Sequence, residues 1–203
     1  MSIDAYRWLY RGSDCGDPLD RHLLACALAI ALADGDRPLA VALGLSGEQL
    51  AALVGLYFPH APGLVWGIDP AADGAAPLAP EELDLRALLV DHGSMGRIEE
   101  HWLAHIVARR SLEPNHLWQD LGLPGRADLG QLMGRHFAPL AAMNAADMKW
   151  KKFFYRQLCQ REGVVICKSP VCDACDDFAR CFGPEEGFSL LAHAGRSPTP
   201  VFV

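Results

Sequence analysis

Three things are scarce or missing in this chain: β-branched residues, long apolar runs, and any excess of basic charge. With few β-branched residues among many alanines and leucines, an extensive sheet is a poor expectation. The most apolar run, Leu23 to Ala33, is about half the ~20 residues that a membrane-spanning helix needs. The first residues mix acids among bases with no apolar segment behind them, so they do not read as a secretory signal. A formal net charge of −7 repels phosphate at long range, which argues against nucleic acid or anionic membrane as a partner. There is no P-loop, no glycine-rich dinucleotide fingerprint and no evident set of nucleophile, base and orienting group. These absences argue against a conventional enzyme and point to a cytoplasmic protein, in which thiols stay reduced and a disulfide framework is not expected.

What is present reads as helix. Hydrophobic residues make up 51% of the 203 and charged residues 21%, a balance that suits one globular domain with a buried core. Leu19 to Ala33 is apolar nearly all round, which predicts a central buried helix ended by Asp34-Gly35-Asp36. Ser46 is a candidate N-cap for a helix carrying Leu50, Leu53, Val54 and Tyr57. Prolines 59, 62, 70, 77 and 80, set among glycine and alanine, mark a loop excursion over about 59–80. Helix resumes at Pro80 with Glu81, Glu82 and Asp84 in its first turn. Further helices are predicted along Ile98, Trp102, His105/Ile106 and Arg109, from Pro114 to a stop at Gly122, through Leu129, Leu132, Met133 and His136, and from Asn144 to Gly163. The fold class is therefore all-α: a bundle-like helical domain over 1–163, followed by a cysteine-rich, cluster-binding segment and tail over 164–203.

That last segment holds the strongest chemical signal. Four of the seven cysteines fall within fifteen residues, "CKSPVCDACDDFARC", as Cys167, Cys172, Cys175 and Cys181. The spacing C-x4-C-x2-C-x5-C sits in a polar stretch whose Pro170, Ser169 and Ala174 favour short loops, so several thiolates can converge. Tetrahedral zinc and an iron–sulfur cluster both take four thiolates. Zinc motifs usually pair cysteines across a longer gap, so the single tight segment favours iron and sulfur. Four unligated thiols in so polar a stretch would be unusual. Cys15 and Cys26 read as incidental, and Cys159 as a thiol near the motif that is more simply buried.

With "DMKWKKFFYRQLC" before it and "HLWQDLGL" and "LMGRHFAPL" further back, this motif resembles the NifQ family of nitrogen-fixation proteins over roughly residues 85–190. The family's four motif cysteines match Cys167, Cys172, Cys175 and Cys181. The resemblance implies a cytoplasmic, non-catalytic carrier of a molybdenum–iron–sulfur cluster related to a cubane iron–sulfur cluster. It implies donation of molybdenum to nitrogenase iron–molybdenum cofactor assembly. The implied partners are the assembly scaffold complex, the nitrogenase iron protein and a molybdenum source such as molybdate. On the residues alone, an electron-transfer iron–sulfur protein and a zinc-stabilised interaction module stay open.

A molybdenum corner needs donors beyond one cysteine, so histidines are of interest. His105 and His116 are the candidates for the molybdenum side, each weighed against a simple packing or capping role. Lys149, Lys152 and Arg156 recur at i, i+3 and i+7 and form a candidate basic stripe for docking or for an oxyanion, against the plainer reading of a solvated helix face. Trp150, Phe154 and Leu158 read as core.

Overall fold

A computed structural model describes residues 2–69, 74–163 and 178–193, and those residues form helices with no strand among them. In chain order the helices are α1 (Ser2–Arg11), α2 (Pro18–Asp34), α3 (Leu39–Leu43), α4 (Gly47–Tyr57), α5 (Pro80–Asp91), α6 (Ile98–Arg110), α7 (Leu117–Asp120), α8 (Arg126–His136), α9 (Ala138–Met143), α10 (Trp150–Arg161), α11 (Phe178–Phe182) and α12 (Leu190–His193). Among the described residues no helix is long and apolar enough to cross a membrane.

The ends of α2 follow from its sequence. Asp17 caps it, its side chain accepting from the Leu19 and Asp20 amides; Pro18 occupies the first turn and Gly35 turns the chain in a left-handed conformation. Leu23 to Ala31 are buried without a break, so the helix runs through the core with α1, α3 and α12 packed on it. Ser46 and Gln49 close a reciprocal capping box at the start of α4.

Some expectations shift. The helix expected from Pro114 begins only at Leu117. The one expected from Asn144 begins at Trp150, because Asn144 instead ties a turn together: its amide donates to the Met148 carbonyl and its side-chain oxygen accepts from the Met148 N–H. On α6 the predicted stripe departs from burial at its first residue. Ile98 is half exposed, whereas Arg109 is fully buried.

Arg109 is buried because it is satisfied. It donates to Glu82 Oε1 at 2.8 Å, to the Ala76 carbonyl at 2.7 Å, and to the Val41 carbonyl. Arg86 pairs with the same Glu82 and reaches the Ala75 carbonyl, and Glu82 Oε2 accepts from the Leu78 amide. The exit of the proline-rich excursion is thus pinned to α3, α5 and α6. Gly74 fits there because a Cβ would collide with the Leu45 carbonyl.

A second charged cluster centres on Asp20. It is fully buried and meets Arg135 Nε at 2.8 Å, His136 Nε2 at 2.9 Å and Arg97 Nη1 at 3.4 Å. Arg97 Nη2 stands 3.4 Å from His136 Nδ1, so the ring fits best as the neutral tautomer that donates from Nε2 and accepts at Nδ1. Burial accordingly holds the His136 pKa below its ordinary value, the nearby guanidinium of Arg97 adds to this, and Asp20 opposes it. His22 and His105 shift the same way, through burial.

A depressed folded-state pKa means that the unfolded chain takes up the proton more readily. The stability that neutral His136 contributes is present above about pH 6.5 and is lost as pH falls toward the folded value. Thermal melts from about pH 7.5 down to about pH 5.5 should show Tm falling, with a shallower fall in His136→Gln. An equal slope in that variant would remove His136 from the account.

Candidate metal centre

Of the four motif cysteines, Cys181 lies on described residues; Cys167, Cys172 and Cys175 lie outside them. Cys181 belongs to α11, is half-buried, and packs with Phe182 against the core. It is not in a disulfide. Its carbonyl accepts the Lys149 amide at 2.8 Å, so the last motif position is joined to the residue that begins α10.

The turn that presents Lys149 is tightly specified. Asn144 braces Met148 from both sides, and Asp147 takes a left-handed conformation with φ 53°. Asp147 adopts it more readily than most residues, and its carboxylate is held by Arg126 Nη2 at 2.7 Å. The same Nη2 reaches the Asp147 and Met148 carbonyls at 3.1 and 3.3 Å. Behind the turn, Trp150, Phe153, Phe154 and Leu158 bury one face of α10, while Lys151 Nζ reaches the buried Asp120 at 2.5 Å.

Arg126 also acts on the far side of Cys181. Its Nη1 lies 2.8 Å from Oε1 of Glu185, four residues past the cysteine. Burial opposes the charge on Arg126, but Asp147 and Glu185 outweigh it and raise the pKa above the ordinary arginine value. His116 Nδ1 stands 3.7 Å from the same Glu185 oxygen. Further along, Gln119 Nε2 donates to the Phe188 carbonyl at 2.9 Å, and Leu191 is buried close to Gly122. The 181–193 stretch is therefore laid against α7, the α7–α8 turn and α2.

The two candidate histidines separate. His116 stands beside Glu185. His105 instead bonds the Gly44 carbonyl at 2.9 Å through Nδ1, across the α3–α6 contact. In the basic stripe, Lys152 is exposed, while Lys149 and Arg156 are half-buried. Cys159 is half-buried near the end of α10, and Cys15 is exposed. Cys26 is enclosed in α2 with its sulfur 3.8 Å from His22 Nδ1; burial, then Asp128, pushes that thiol far above the ordinary range, which makes it a poor ligand. Among the described residues no group of three or more histidine, cysteine or acidic side chains is arranged around a common point.

Arg126 and Glu185 carry no motif of their own. Glu185 follows the cysteine run in "CFGPEEG", and its partner lies far back in the chain, so no spacing connects them.

The family model NifQ matches residues 23–183, from within α2 to just beyond α11, with all four motif cysteines inside the match. The chain belongs to the NifQ family. It is 45% identical over 168 residues to the protein NifQ of Rhodobacter capsulatus, covering 78% of this chain and 89% of that one. Against the NifQ homolog of Sinorhizobium fredii it is 39% identical over 173 residues, 84% of this chain and 74% of the other. Against the NifQ of Azotobacter vinelandii it is 38% identical over 161 residues, 75% and 83% of the respective chains. No solved structure matches. Membership of the NifQ family gives the chain a part in nitrogen fixation.

Removing Arg126 leaves the nearly buried Glu185 carboxylate without its partner and releases the Asp147 turn. Arg126→Ala should cost about 1–3 kcal/mol in urea unfolding and speed alkylation of Cys181 in metal-free protein, followed by peptide mass spectrometry. Unchanged alkylation would show that the Arg126 contacts do not hold Cys181 in place.

Proposed function

We propose that this protein carries an iron–sulfur cluster of the cubane type as cargo, loaded with molybdenum, on Cys167, Cys172, Cys175 and Cys181. In this reading it donates the molybdenum for assembly of the nitrogenase iron–molybdenum cofactor and does so without catalysing a reaction of its own. The observation that carries the reading is the C-x4-C-x2-C-x5-C run, lying wholly inside the stretch that matches the family. Soft thiolates select such clusters, and a cubane offers four metal corners to four thiolates, one of them the corner whose metal is exchanged. The one motif cysteine on described residues is a half-buried thiol outside any disulfide, which is compatible with ligation. The receiving partners are the cofactor-assembly scaffold complex and the nitrogenase iron protein, and the source is molybdate or a related molybdenum supply.

The test is metal and sulfide analysis, with visible absorption, of protein purified without oxygen. A carrier contains iron, sulfide and transferable molybdenum. An electron-transfer protein would keep its metals through redox cycles, and a zinc module would be colourless. Cys172→Ala and Cys175→Ala should each lose most of the chromophore and keep the helical circular dichroism. A full iron complement in both variants would sink the proposal.

Delivery needs a docking face, and the basic stripe serves it. Lys152 is its exposed member, on a net-acidic protein. Lys152→Glu should change stability by less than about 0.5 kcal/mol. It should lower molybdenum delivery in reconstituted cofactor synthesis, more at low salt than at high, because salt screens the native attraction. Delivery equal to the parent at low salt would reduce the stripe to a solvated face.

A further inference from the structure

We propose that the outer face of α4, with the turn that follows it and Trp66 at its tip, docks a partner protein whose own surface is apolar at the centre and basic at the rim. The inference goes beyond the carrier reading and does not depend on what the four cysteines hold.

The starting observation is a helix face almost without charge. Leu50, Leu53, Val54 and Tyr57 bury the inner side of α4. Glu48, Ala51, Ala52, Gly55 and Leu56 are exposed, and Pro59 continues them past the helix end. A solvent-facing helix side ordinarily carries charged and polar residues. Here Glu48 is the one charged residue, and from Gln49 to Ile68 the sequence has no lysine, arginine, aspartate or glutamate. Leu56 is 48% exposed, and a Cβ at Gly55 would meet nothing within 4 Å, so among the described residues nothing covers this face.

Trp66 extends the surface and is firmly presented. Four backbone bonds run through the turn: the Ala61 amide to the Phe58 carbonyl at 2.8 Å, Leu64 to Ala61 at 3.1 Å, Val65 to Pro62 at 3.1 Å and Ile68 to Val65 at 3.3 Å. Leu64, Val65 and Ile68 pack against the core, whereas the indole among them is 80% exposed. On the α1 side, His60 meets Trp8 edge to face at 5.2 Å, and Trp8 is itself 49% exposed, so a second indole borders the same turn. Tryptophan is among the residues that most often anchor an interface, and a rigid turn lowers the entropy lost on docking.

Charge selects the partner. Residues 38–85 hold six of the 25 acids and none of the 18 lysines and arginines, so this stretch alone contributes −6 of the net −7. Glu48 opens the uncharged run, Asp69 closes it, and both are exposed. The bases that bracket the stretch are engaged: Arg37 meets Glu113 Oε1 at 2.7 Å, and Arg86 pairs with the buried Glu82. An acidic rim repels nucleic acid and anionic membrane and favours a basic protein surface. It also repels the same face of a second copy. The stripe of Lys149, Lys152 and Arg156 has the opposite sign, so one partner surface does not suit both.

The experiment puts p-benzoylphenylalanine in place of Trp66, or of the exposed Met95 as a control, in the full chain made in its own host during nitrogen-fixing growth. Cells are irradiated and the adducts identified by mass spectrometry. The protein captured from position 66 and not from position 95 is purified and titrated against the parent, Trp66→Ala, Trp66→Phe and Glu48→Lys at low and high salt. Trp66→Ala should weaken binding about 30-fold with an unchanged Tm, and Trp66→Phe should weaken it less. Glu48→Lys should weaken it about fivefold at low salt and little at high salt. The assignment is overturned if no adduct is specific to position 66, if the adduct is with a second copy of this chain, or if the captured protein binds Trp66→Ala as it binds the parent. Parental affinity that does not fall as salt rises removes the basic rim and overturns the assignment as well.

Discussion

Arg126 donates on both sides of Cys181, and the geometry of the candidate centre follows from that. Through Nη2 it fixes the Asp147–Met148 turn, which aims the Lys149 amide at the Cys181 carbonyl; through Nη1 it fixes Glu185 on the chain leaving the cysteine. Ordering a backbone residue costs about 1–2 kcal/mol of entropy. One side chain that orders two segments at once therefore reduces the ordering that the proposed ligation would have to supply at the position between them. Preorganisation of this kind would raise affinity for the proposed cargo without adding a contact to it. It also explains the left-handed Asp147, whose strain is held by the guanidinium it binds.

Elsewhere the helices are registered by charge. A core of leucine and alanine offers many nearly equivalent packings, because the knobs are alike. Asp20, Glu82 and Asp120 are buried carboxylates, each met by a cation from another helix: Arg135 from α8, Arg109 from α6 and Lys151 from α10. Such pairs add little net stability compared with apolar replacements, but a slipped helix would strand a buried charge at a cost of several kcal/mol. His136 joins the Asp20 cluster as a neutral ring, which makes this registration sensitive to acid.

The sequence made the helical class readable because alanine and leucine periodicity is local information. Caps were readable for the same reason, and Ser46 and Gly35 stand where their chemistry places them. Arg109 was readable as a member of the α6 stripe with Trp102 and Ile106, but its partners were not, because Glu82 and the carbonyls of Val41, Gly74 and Ala76 come from distant parts of the chain. Asn144 was read as a helix cap although it braces a turn, since the same side chain suits both tasks. At the candidate centre, the cysteines stood out by spacing alone. Glu185 could not, because its pairing with Arg126 and its approach to His116 exist only once the chain is folded.

The proline-rich excursion is anchored at its exit, where Arg109 and Arg86 hold the carbonyls of Ala75 and Ala76 and Glu82 holds the Leu78 amide. Its entry is fixed too, by the buried Phe58 and Ala61. A loop clamped at both ends transmits little of its own length to the helices it joins, and doubling a flexible loop adds only about 0.6 kcal/mol of closure entropy. Relatives can therefore gain or lose residues around Trp66, which is 80% exposed, while α4 and α5 stay in place. Insertions there would alter the outer surface of the molecule and leave the Cys181 mount as it is.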